Sequence, residues 1–256
     1  MYNTHMHFPY DIHIGTAILP IHLLTDILSM YIGYQYYKFL RNKKGDHLSG
    51  DKRYTVIIGA ATGALIGSRL LAFFEHIHTM SNFSLLYIFS NKTIAGGVIG
   101  GIIGVEIVKK FLKIKTSTGD LLVLPLILGI GIGRIGCFLT GVKDGTVGNV
   151  STVPWAFDQG DGLIRHPTSL YEIAFLIICF FILQKLLQKK LQEGLVFKLF
   201  ASLYLLFRFC IEFIKPREIA FLQLSYMQIA SALFVLYYIY SFLKIYQNRQ
   251  QVSKVI

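Results

Sequence analysis

The chain has 256 residues, of which 54% are hydrophobic and only 15% are charged, and its mean hydropathy is +0.54. A soluble globular domain carries about 25% charged residues, so this composition excludes that class. The formal net charge of +11 would suit nucleic acid only if the basic residues clustered on one solvated face. They are dispersed between apolar runs, so we expect no nucleic-acid partner.

Seven apolar segments of about 20 residues, the length that crosses about 30 Å of hydrocarbon, follow one another along the chain. They cover residues 17–39, 55–74, 94–113, 120–140, 167–187, 195–214 and 223–243. This pattern predicts an all-α, polytopic protein with about seven transmembrane helices in one integral membrane domain over residues 1–256. Met1 to Gly15 is polar and free of Lys and Arg, unlike a signal peptide, so we expect the first segment to stay as a helix in the lipid bilayer.

The basic residues predict the orientation, because Lys and Arg concentrate in the cytoplasmic loops of membrane proteins. Here they concentrate after the first, third and fifth segments and in the tail after the seventh. We therefore expect the N-terminus outside and the C-terminus in the cytoplasm. This orientation makes residues 141–166 the longest external loop.

The three cysteines, Cys137, Cys179 and Cys210, lie within or at the edge of apolar stretches. This setting disfavours a disulfide framework or a thiolate metal site. We expect all three to be small buried residues.

An arginine inside an apolar segment persists mainly where it faces a partner, water or a ligand. Arg134 lies in such a segment, within the glycine-rich stretch GIGRIGCFLTG at residues 131–141. Glycines such as Gly133 and Gly136 either let helices pack closely or let backbone N–H groups cradle a phosphate. The embedded arginine favours the phosphate.

A second charged group lies in the sixth segment, where Arg208 and Glu212 are four residues apart and share one helical face. The two can form a self-neutralised pair. The stretch from Tyr204 to Arg217, which includes Lys215, nevertheless carries an excess of positive charge. That excess favours a bound anion over internal pairing.

Other features of the segments have plainer interpretations. We expect Glu106, one turn before Lys109, to reach the cytoplasmic interface. Arg69 has Glu75, His76 and His78 near it in sequence, so pairing or bracing explains it at least as well as substrate contact. The glycines of the second and third segments predict close helix packing: Gly59, Gly63, Gly67, Gly96, Gly97, Gly100, Gly101 and Gly104.

The external loop ends in RHPTSLYE at residues 165–172. Pro167 suits the first turn of a helix, and a residue before proline is pushed out of the helical region. We therefore expect His166 and Glu172 at or just within the outer face of the membrane.

Three stretches together resemble the prolipoprotein diacylglyceryl transferase family. RHPTSLYE is similar to the family signature HPSQLYE, GRIGCFLTG at residues 133–141 to GR-x-GNFINGE, and YLLFRFCIEFIKPRE at residues 204–218 to Y-x-x-FR-x-x-x-EFFR. Order, spacing and membrane context agree. Weaker similarities lie at HFP (residues 7–9), GSRL (67–70) and SYMQ (225–228).

The resemblance implies an enzyme of the bacterial cytoplasmic (inner) membrane that acts in lipoprotein biogenesis. It would transfer the diacylglyceryl group of phosphatidylglycerol to the lipobox cysteine thiol of a prolipoprotein signal peptide. The resemblance implies that Arg134 and Arg208 hold the phosphate and that Glu212 orients Arg208. We also expect His166 among the catalytic residues, as a substitute base. Substrate-binding residues would be Tyr204, Gly133, Gly136, Cys137, Asp144, Tyr171, Glu172, Arg69 and Lys215. The acceptor brings the nucleophile, so the resemblance implies no metal and no cofactor.

The chain also departs from the family pattern. The family's HGG reads Ala95-Gly96-Gly97 here, so its histidine is missing and Ala95 cannot serve as a base. Cys137 replaces the family asparagine, and Lys215 replaces the last arginine of the third signature, which removes a bidentate group.

Three interpretations follow from these departures. In a divergent diacylglyceryl transferase, His166 or Asp144 replaces the base, or the arginine-lined site alone lowers the pKa of the thiol. Alternatively, a paralogue of the same fold transfers a lipid or headgroup to another acceptor. The third interpretation is a non-catalytic membrane protein that binds or transports anionic lipid.

Overall fold

The structure is a computed structural model that describes residues 8–15, 17–45, 48–77, 91–189 and 191–255. Of the segments used above, His7, His78 and parts of the N-terminal stretch lie outside these residues. The described residues contain seven α-helices, one in each predicted segment. They are α1 (Ile21–Lys44), α2 (Gly50–Glu75), α3 (Ile94–Phe111), α4 (Val123–Thr140), α5 (Thr168–Leu186), α6 (Leu195–Ile211) and α7 (Tyr226–Val255).

Four helical segments of the described chain are long and apolar enough to cross a membrane: Gly50–Glu75, Asp120–Asp144, Thr168–Leu186 and Tyr226–Ile245. Large apolar side chains such as Ile58, Leu65 and Phe181 are exposed on these helices. Such surfaces are costly in water and suit a lipid environment. The chain is therefore a mostly helical membrane protein, while the count of seven spans and the orientation stay predictions.

The first segment begins later than predicted. Residues 17–20 are not helical, because Ala17–Pro20 forms a strand (β2) that pairs antiparallel with Asp11–Ile14 (β1). Pro20 has φ −62° and ψ 125° and directly precedes α1. Pro20 has no backbone N–H, and its backbone is extended rather than helical. The helix therefore starts at the next residue, Ile21.

The last segment also begins later than predicted, for a similar local reason. Leu222 and Gln223 have positive φ values of 50° and 62°. Their turn is closed by a bridge between Phe221 and Leu224. A helix cannot pass through residues in the left-handed region, and α7 starts only at Tyr226.

The chain divides into two compact units. The first contains the described parts of residues 1–46, 117–197 and 214–216, and the second those of residues 47–116, 198–213 and 217–256. In the first unit, α4 packs against both α1 and α5. In the second unit, α2 packs along α3, and α7 contacts both.

Helices α2 and α3 are in close backbone contact, as the glycine pattern predicts. A Cβ added at Gly63 would lie 2.3 Å from the Gly100 carbonyl oxygen, and one at Gly67 would lie 2.4 Å from that of Gly96. Neither space admits a side chain. The packing interpretation is confirmed for six of the eight glycines; a Cβ at Gly97 or Gly101 would meet its nearest neighbour only at 3.8 or 3.5 Å.

Two sequence predictions need correction. The fold is not purely helical, because the chain also forms two short antiparallel ribbons, β1–β2 and the pair Phe157–Asp158 (β3) with Ile164–Arg165 (β4). Cys137 and Cys179 are buried, but Cys210 is exposed. On α6 the buried positions Arg208 and Ile211 define the inner face, and a residue between them in sequence points away from that face.

Candidate active site

An ion pair between two helices lies at the centre of the first unit. The Nε of Arg134 on α4 is 2.9 Å from Oε2 of Glu172 on α5, and the two side chains are only 5% and 2% exposed. The contact at Nε is an ion pair and not a hydrogen bond, and its burial leaves it less screened by water and salt than a surface pair. Glu172, which the resemblance places among the substrate contacts, thus holds the guanidinium of Arg134 in one orientation.

A second polar group, next to this ion pair, was not predicted. Arg134 donates through Nη1 to the Sγ of Cys137 at 3.4 Å. That sulfur lies 3.6 Å from Nε2 of His22, and the same nitrogen lies 2.9 Å from Oδ1 of Asp144. The other ring nitrogen of His22 is 3.2 Å from Oδ2 of Asp26. Cys137 and Asp144 therefore both contact His22, a residue that was not among the predicted site residues.

The approach of α1 to α4 brings His22 to this position. A Cβ added at Gly136 would lie 1.8 Å from the hydroxyl oxygen of Thr25. Only glycine allows Thr25 to sit there, and the Thr25 hydroxyl in turn donates to the carbonyl oxygen of His22 at 2.9 Å. Gly133 lies one turn earlier on α4, and its nearest neighbour is an oxygen of Asp26, 4.0 Å from a hypothetical Cβ. The two glycines thus shape the wall of the polar group.

Asp144 ends the 3₁₀ turn Gly141–Asp144 that follows α4. The hydroxyl of Thr146 donates to its second carboxylate oxygen. Thr146 also lies 3.5 Å from Ser169 of α5, hydroxyl to hydroxyl. The carboxylate of Asp144 is therefore held between His22 on one side and the start of α5 on the other.

His166 belongs to a separate hydrogen-bonded chain in the same unit. Its Nδ1 is 3.0 Å from the hydroxyl of Tyr171, and that hydroxyl accepts from the indole N–H of Trp155 at 2.6 Å. The backbone of His166 also pairs with Gly148 and Asn149. His166 and Tyr171 are both half-buried.

The loop between these groups is held by carboxylates. Oδ1 of Asp158 accepts from the backbone N–H groups of Gly160, Asp161 and Gly162 at 2.8 to 3.0 Å. Arg165 donates to Asp161. This hydrogen bond lowers the pKa of the Asp161 carboxyl below its usual value, so the ion pair is lost only as the pH falls through that lowered pKa.

The remaining predicted residues on α6 lie in the second unit. Arg208 is buried, and its Nη2 lies 3.8 Å from Oε2 of buried Glu212, which is an ion pair too long for a hydrogen bond. The same nitrogen donates to the sulfur of Met227 at 3.1 Å. Tyr204, one turn before Arg208, is completely buried. The spacing allowed Arg208 and Glu212 to pair, and the structure places them at ion-pair distance, while the bound anion favoured by the sequence stays a prediction.

Other residues of the second unit have structural surroundings. Arg69 donates through Nη1 to the carbonyl oxygen of Asn91 at 2.7 Å, which ties the end of α2 to the segment before α3. Glu75 accepts from the backbone N–H of Met227 at the start of α7. These contacts fit the bracing interpretation of Arg69.

The position of the missing family histidine is apolar. Ala95 is completely buried against Leu205 and Met227. Partly buried apolar side chains complete this surrounding: Leu71, Ile99, Phe234 and Val235. None of these side chains can accept or donate a proton.

The structure thus brings Arg134, Cys137, Asp144 and Glu172 together in the first unit, with Gly133 and Gly136 beside them. His166 and Tyr171 contact each other in that unit, which also contains Lys215. Tyr204, Arg208 and Glu212 share α6 in the second. His22 and Asp26 complete the first group, and His22 was missed because it is distant in sequence from Cys137 and Asp144.

Comparison with known proteins agrees with these features. A sequence model of the prolipoprotein diacylglyceryl transferase family matches residues 10–244. Among curated relatives, the phosphatidylglycerol–prolipoprotein diacylglyceryl transferase of Mannheimia succiniciproducens is 31% identical over 232 residues, 85% of each chain. The protein of that name from Pasteurella multocida is 30% identical and covers 85% of this chain and 84% of its own. That of Geobacter sulfurreducens is 30% identical over 203 residues, 76% of this chain and 77% of its own. The resemblance to this family is confirmed, and the chain belongs to the prolipoprotein diacylglyceryl transferase family.

Proposed function

We propose that this protein is a phosphatidylglycerol–prolipoprotein diacylglyceryl transferase of the bacterial cytoplasmic membrane. In this proposal seven helices cross the membrane with the N-terminus outside, and the reaction takes place at the outer leaflet. The observation that carries the proposal is the buried Arg134, held by Glu172 inside the helices of a protein of this family. A cation that is buried among membrane helices suits an anionic lipid headgroup as its ligand.

The reaction needs two things from the protein. The acceptor cysteine must attack as a thiolate, because the thiol form is a poor nucleophile. The phosphate of phosphatidylglycerol must leave with an additional negative charge, which cations in a low-dielectric site stabilise as it develops. Glycerol phosphate is then the second product.

Arg134 supplies such a cation in the first unit. A guanidinium matches the planar geometry of phosphate oxygens, and Glu172 fixes its orientation, which lowers the entropy lost when a phosphate binds. We assign Arg208, oriented by Glu212, the same task, with Tyr204 one turn away. We propose that Gly133, whose nearest neighbour is 4.0 Å from a hypothetical Cβ, lets the headgroup approach the backbone, and that Gly136 contributes by admitting Thr25. We also propose that Lys215 and Arg69 add positive charge.

Ala95 cannot take the proton of the acceptor thiol, so another group must accept it. His166, hydrogen-bonded to Tyr171, is one candidate, and the carboxylate of Asp144 is the other. Replacing His166 by Gln keeps the side-chain hydrogen bonding and removes the base. If His166 moves the proton, this variant loses turnover at neutral pH while phosphatidylglycerol still binds.

The experiment measures transfer of labelled diacylglycerol from phosphatidylglycerol to a lipobox peptide by the purified protein in detergent. The informative variant is Arg134→Gln/Glu172→Gln, which removes both charges together and so leaves no buried charge unpaired. Loss of one preorganised charged donor lowers turnover by about 10²-fold or more. The matched control is Glu106→Gln/Lys109→Gln, which removes an ion pair whose carboxylate is 66% exposed.

We expect the buried double variant to lose transfer and the exposed one to keep it. A folded Arg134→Gln/Glu172→Gln protein with wild-type turnover would contradict the assigned role of Arg134. A folded wild-type protein that binds phosphatidylglycerol but transfers nothing to the peptide would instead favour a paralogue with another acceptor or a lipid-binding protein.

A further inference from the structure

The polar group at the start of α1 combines three side chains that are typical metal ligands. Nε2 of His22, Sγ of Cys137 and a carboxylate oxygen of Asp144 all lie within 4.8 Å of one another. They come from three different elements, the first turn of α1, the last turn of α4 and the 3₁₀ turn Gly141–Asp144. A nitrogen, a sulfur and an oxygen ligand around one point match the ligand types of zinc sites.

Two of the three separations of these atoms can be compared with those around one zinc ion. With bond lengths of about 2.3 Å to sulfur and about 2.0 to 2.2 Å to nitrogen and oxygen, tetrahedral geometry places sulfur about 3.6 Å from nitrogen and nitrogen about 3.4 Å from oxygen. Sγ of Cys137 is 3.6 Å from Nε2 of His22. Asp144 is 2.9 Å from that nitrogen, so its carboxylate needs to move outward by about 0.5 Å.

The surroundings of the three ligands point in the same direction. Histidines that bind metals commonly donate their other ring nitrogen to a carboxylate, which fixes the ring. Nδ1 of His22 has this partner in Asp26, at 3.2 Å. A zinc ion with one thiolate, one carboxylate and a neutral imidazole is electrically neutral, which suits a partly buried site. Arg134 donates to the sulfur at 3.4 Å and so stabilises negative charge on it.

We propose that His22, Cys137 and Asp144 bind one Zn²⁺ ion and that the thiol of the acceptor cysteine occupies the fourth position. Three protein ligands with one open position are typical of catalytic rather than structural zinc. The proposal rests on the proposed function, because it names the group that prepares the acceptor for that reaction. It also provides an alternative to a protein base where the chain has Ala95 in place of the family histidine.

The step balances without an oxidant or a protein base. The acceptor thiol binds the zinc and loses its proton to water, since a coordinating thiol is deprotonated. Its sulfur then forms a bond to the glycerol carbon that carries the phosphate. The carbon–oxygen bond breaks, and its electron pair stays on the phosphate oxygen, next to Arg134. The products are a thioether and glycerol phosphate.

The test uses the full-length protein in detergent, stripped with a chelator and then titrated with Zn²⁺ or with Co²⁺ as a spectroscopic substitute. We expect about one metal per chain and a thiolate-to-cobalt charge-transfer absorption. Cys137→Ser and, independently, His22→Gln should abolish both signals. Cys179→Ser removes another buried thiol of the first unit and should change neither. Asp26→Asn should weaken metal binding by about 10- to 100-fold.

The role of the open position is tested by adding a lipobox peptide to the cobalt protein. A second thiolate ligand should increase the charge-transfer absorption, and a peptide with Ser in place of Cys should leave it unchanged. No stoichiometric metal, a metal signal that survives in both folded variants, or no response to the Cys peptide would each overturn the proposal.

The transfer assay on the same samples separates this proposal from the proposed function. Transfer by protein shown to be metal-free leaves the proposed function standing and overturns the zinc site. Metal binding and a response to the Cys peptide without any transfer support the zinc site and contradict the proposed function.

Discussion

The buried pair of Arg134 and Glu172 leads to a quantitative stability prediction. Replacing Glu172 by Gln keeps the volume of the side chain but removes the carboxylate that neutralises Arg134. The charge of Arg134, a residue that is only 4% exposed, stays buried. Breaking a buried ion pair on one side costs about 3 to 5 kcal/mol. We expect Glu172→Gln to lower the free energy of unfolding by about 3 kcal/mol, at the low end because the amide oxygen still accepts a hydrogen bond.

Glu106→Gln is the matched control, since it removes the same charge from an ion pair whose carboxylate is exposed. Exposed pairs between residues three or four apart on a helix contribute at most about 0.5 kcal/mol. The assay is equilibrium unfolding of purified protein from mild detergent by increasing amounts of a denaturing detergent. A second comparison uses Arg134→Gln/Glu172→Gln, which should recover part of the loss because no unpaired charge remains.

Equal losses for Glu172→Gln and Glu106→Gln would refute this reasoning, because burial would then have no effect on the energy of the pair. A double variant that is less stable than Glu172→Gln by the full cost of a second lesion would also refute it. Additive losses are the behaviour of two independent sites. Side chains in contact at 2.9 Å should instead be strongly coupled.

Two further predictions concern the walls of the site. Gly136→Ala places a methyl group against the hydroxyl of Thr25, so we expect a loss of about 1 to 3 kcal/mol from overpacking. On the same helix, a Cβ at Gly131 would meet its nearest neighbour only at 4.0 Å, so Gly131→Ala should stabilise the protein by up to about 1 kcal/mol through helix propensity. Thermal unfolding of both variants checks the difference, and equal shifts in their unfolding temperatures would contradict it. Tyr171→Phe removes the hydroxyl shared with His166, and it should lower peptide transfer more than phosphatidylglycerol binding; an unchanged transfer rate would contradict a role for this chain of hydrogen bonds.

The helices could be predicted from the sequence because their length and hydropathy are properties of local composition. Their ends could not, because turn chemistry decides them. Pro20 holds an extended conformation before α1, and the positive φ values of Leu222 and Gln223 delay the start of α7. Average hydropathy over about 20 residues does not detect such single-residue effects.

The candidate site was predictable where one residue carries the signal. Arg134 and Arg208 attract notice as charges in apolar segments, and the structure buries both. Their surroundings were less predictable. Glu212 lies one helical turn from Arg208, so its pairing followed from spacing, whereas Glu172 pairs with Arg134 from another helix. His22 left no local signal, because its partners Cys137 and Asp144 are distant in the sequence.

Two departures from the family pattern acquire a physical context in the structure. At position 95, alanine is surrounded by apolar side chains, which would offer a histidine no hydrogen-bond partner. At position 137, cysteine lies between a histidine and an arginine, and its sulfur contacts a ring nitrogen of the first and a guanidinium nitrogen of the second. A chain that had merely lost an active-site base would need the first change but not the second. The second change adds a soft ligand next to an imidazole and a carboxylate, which is the set of ligands that the proposed zinc site requires.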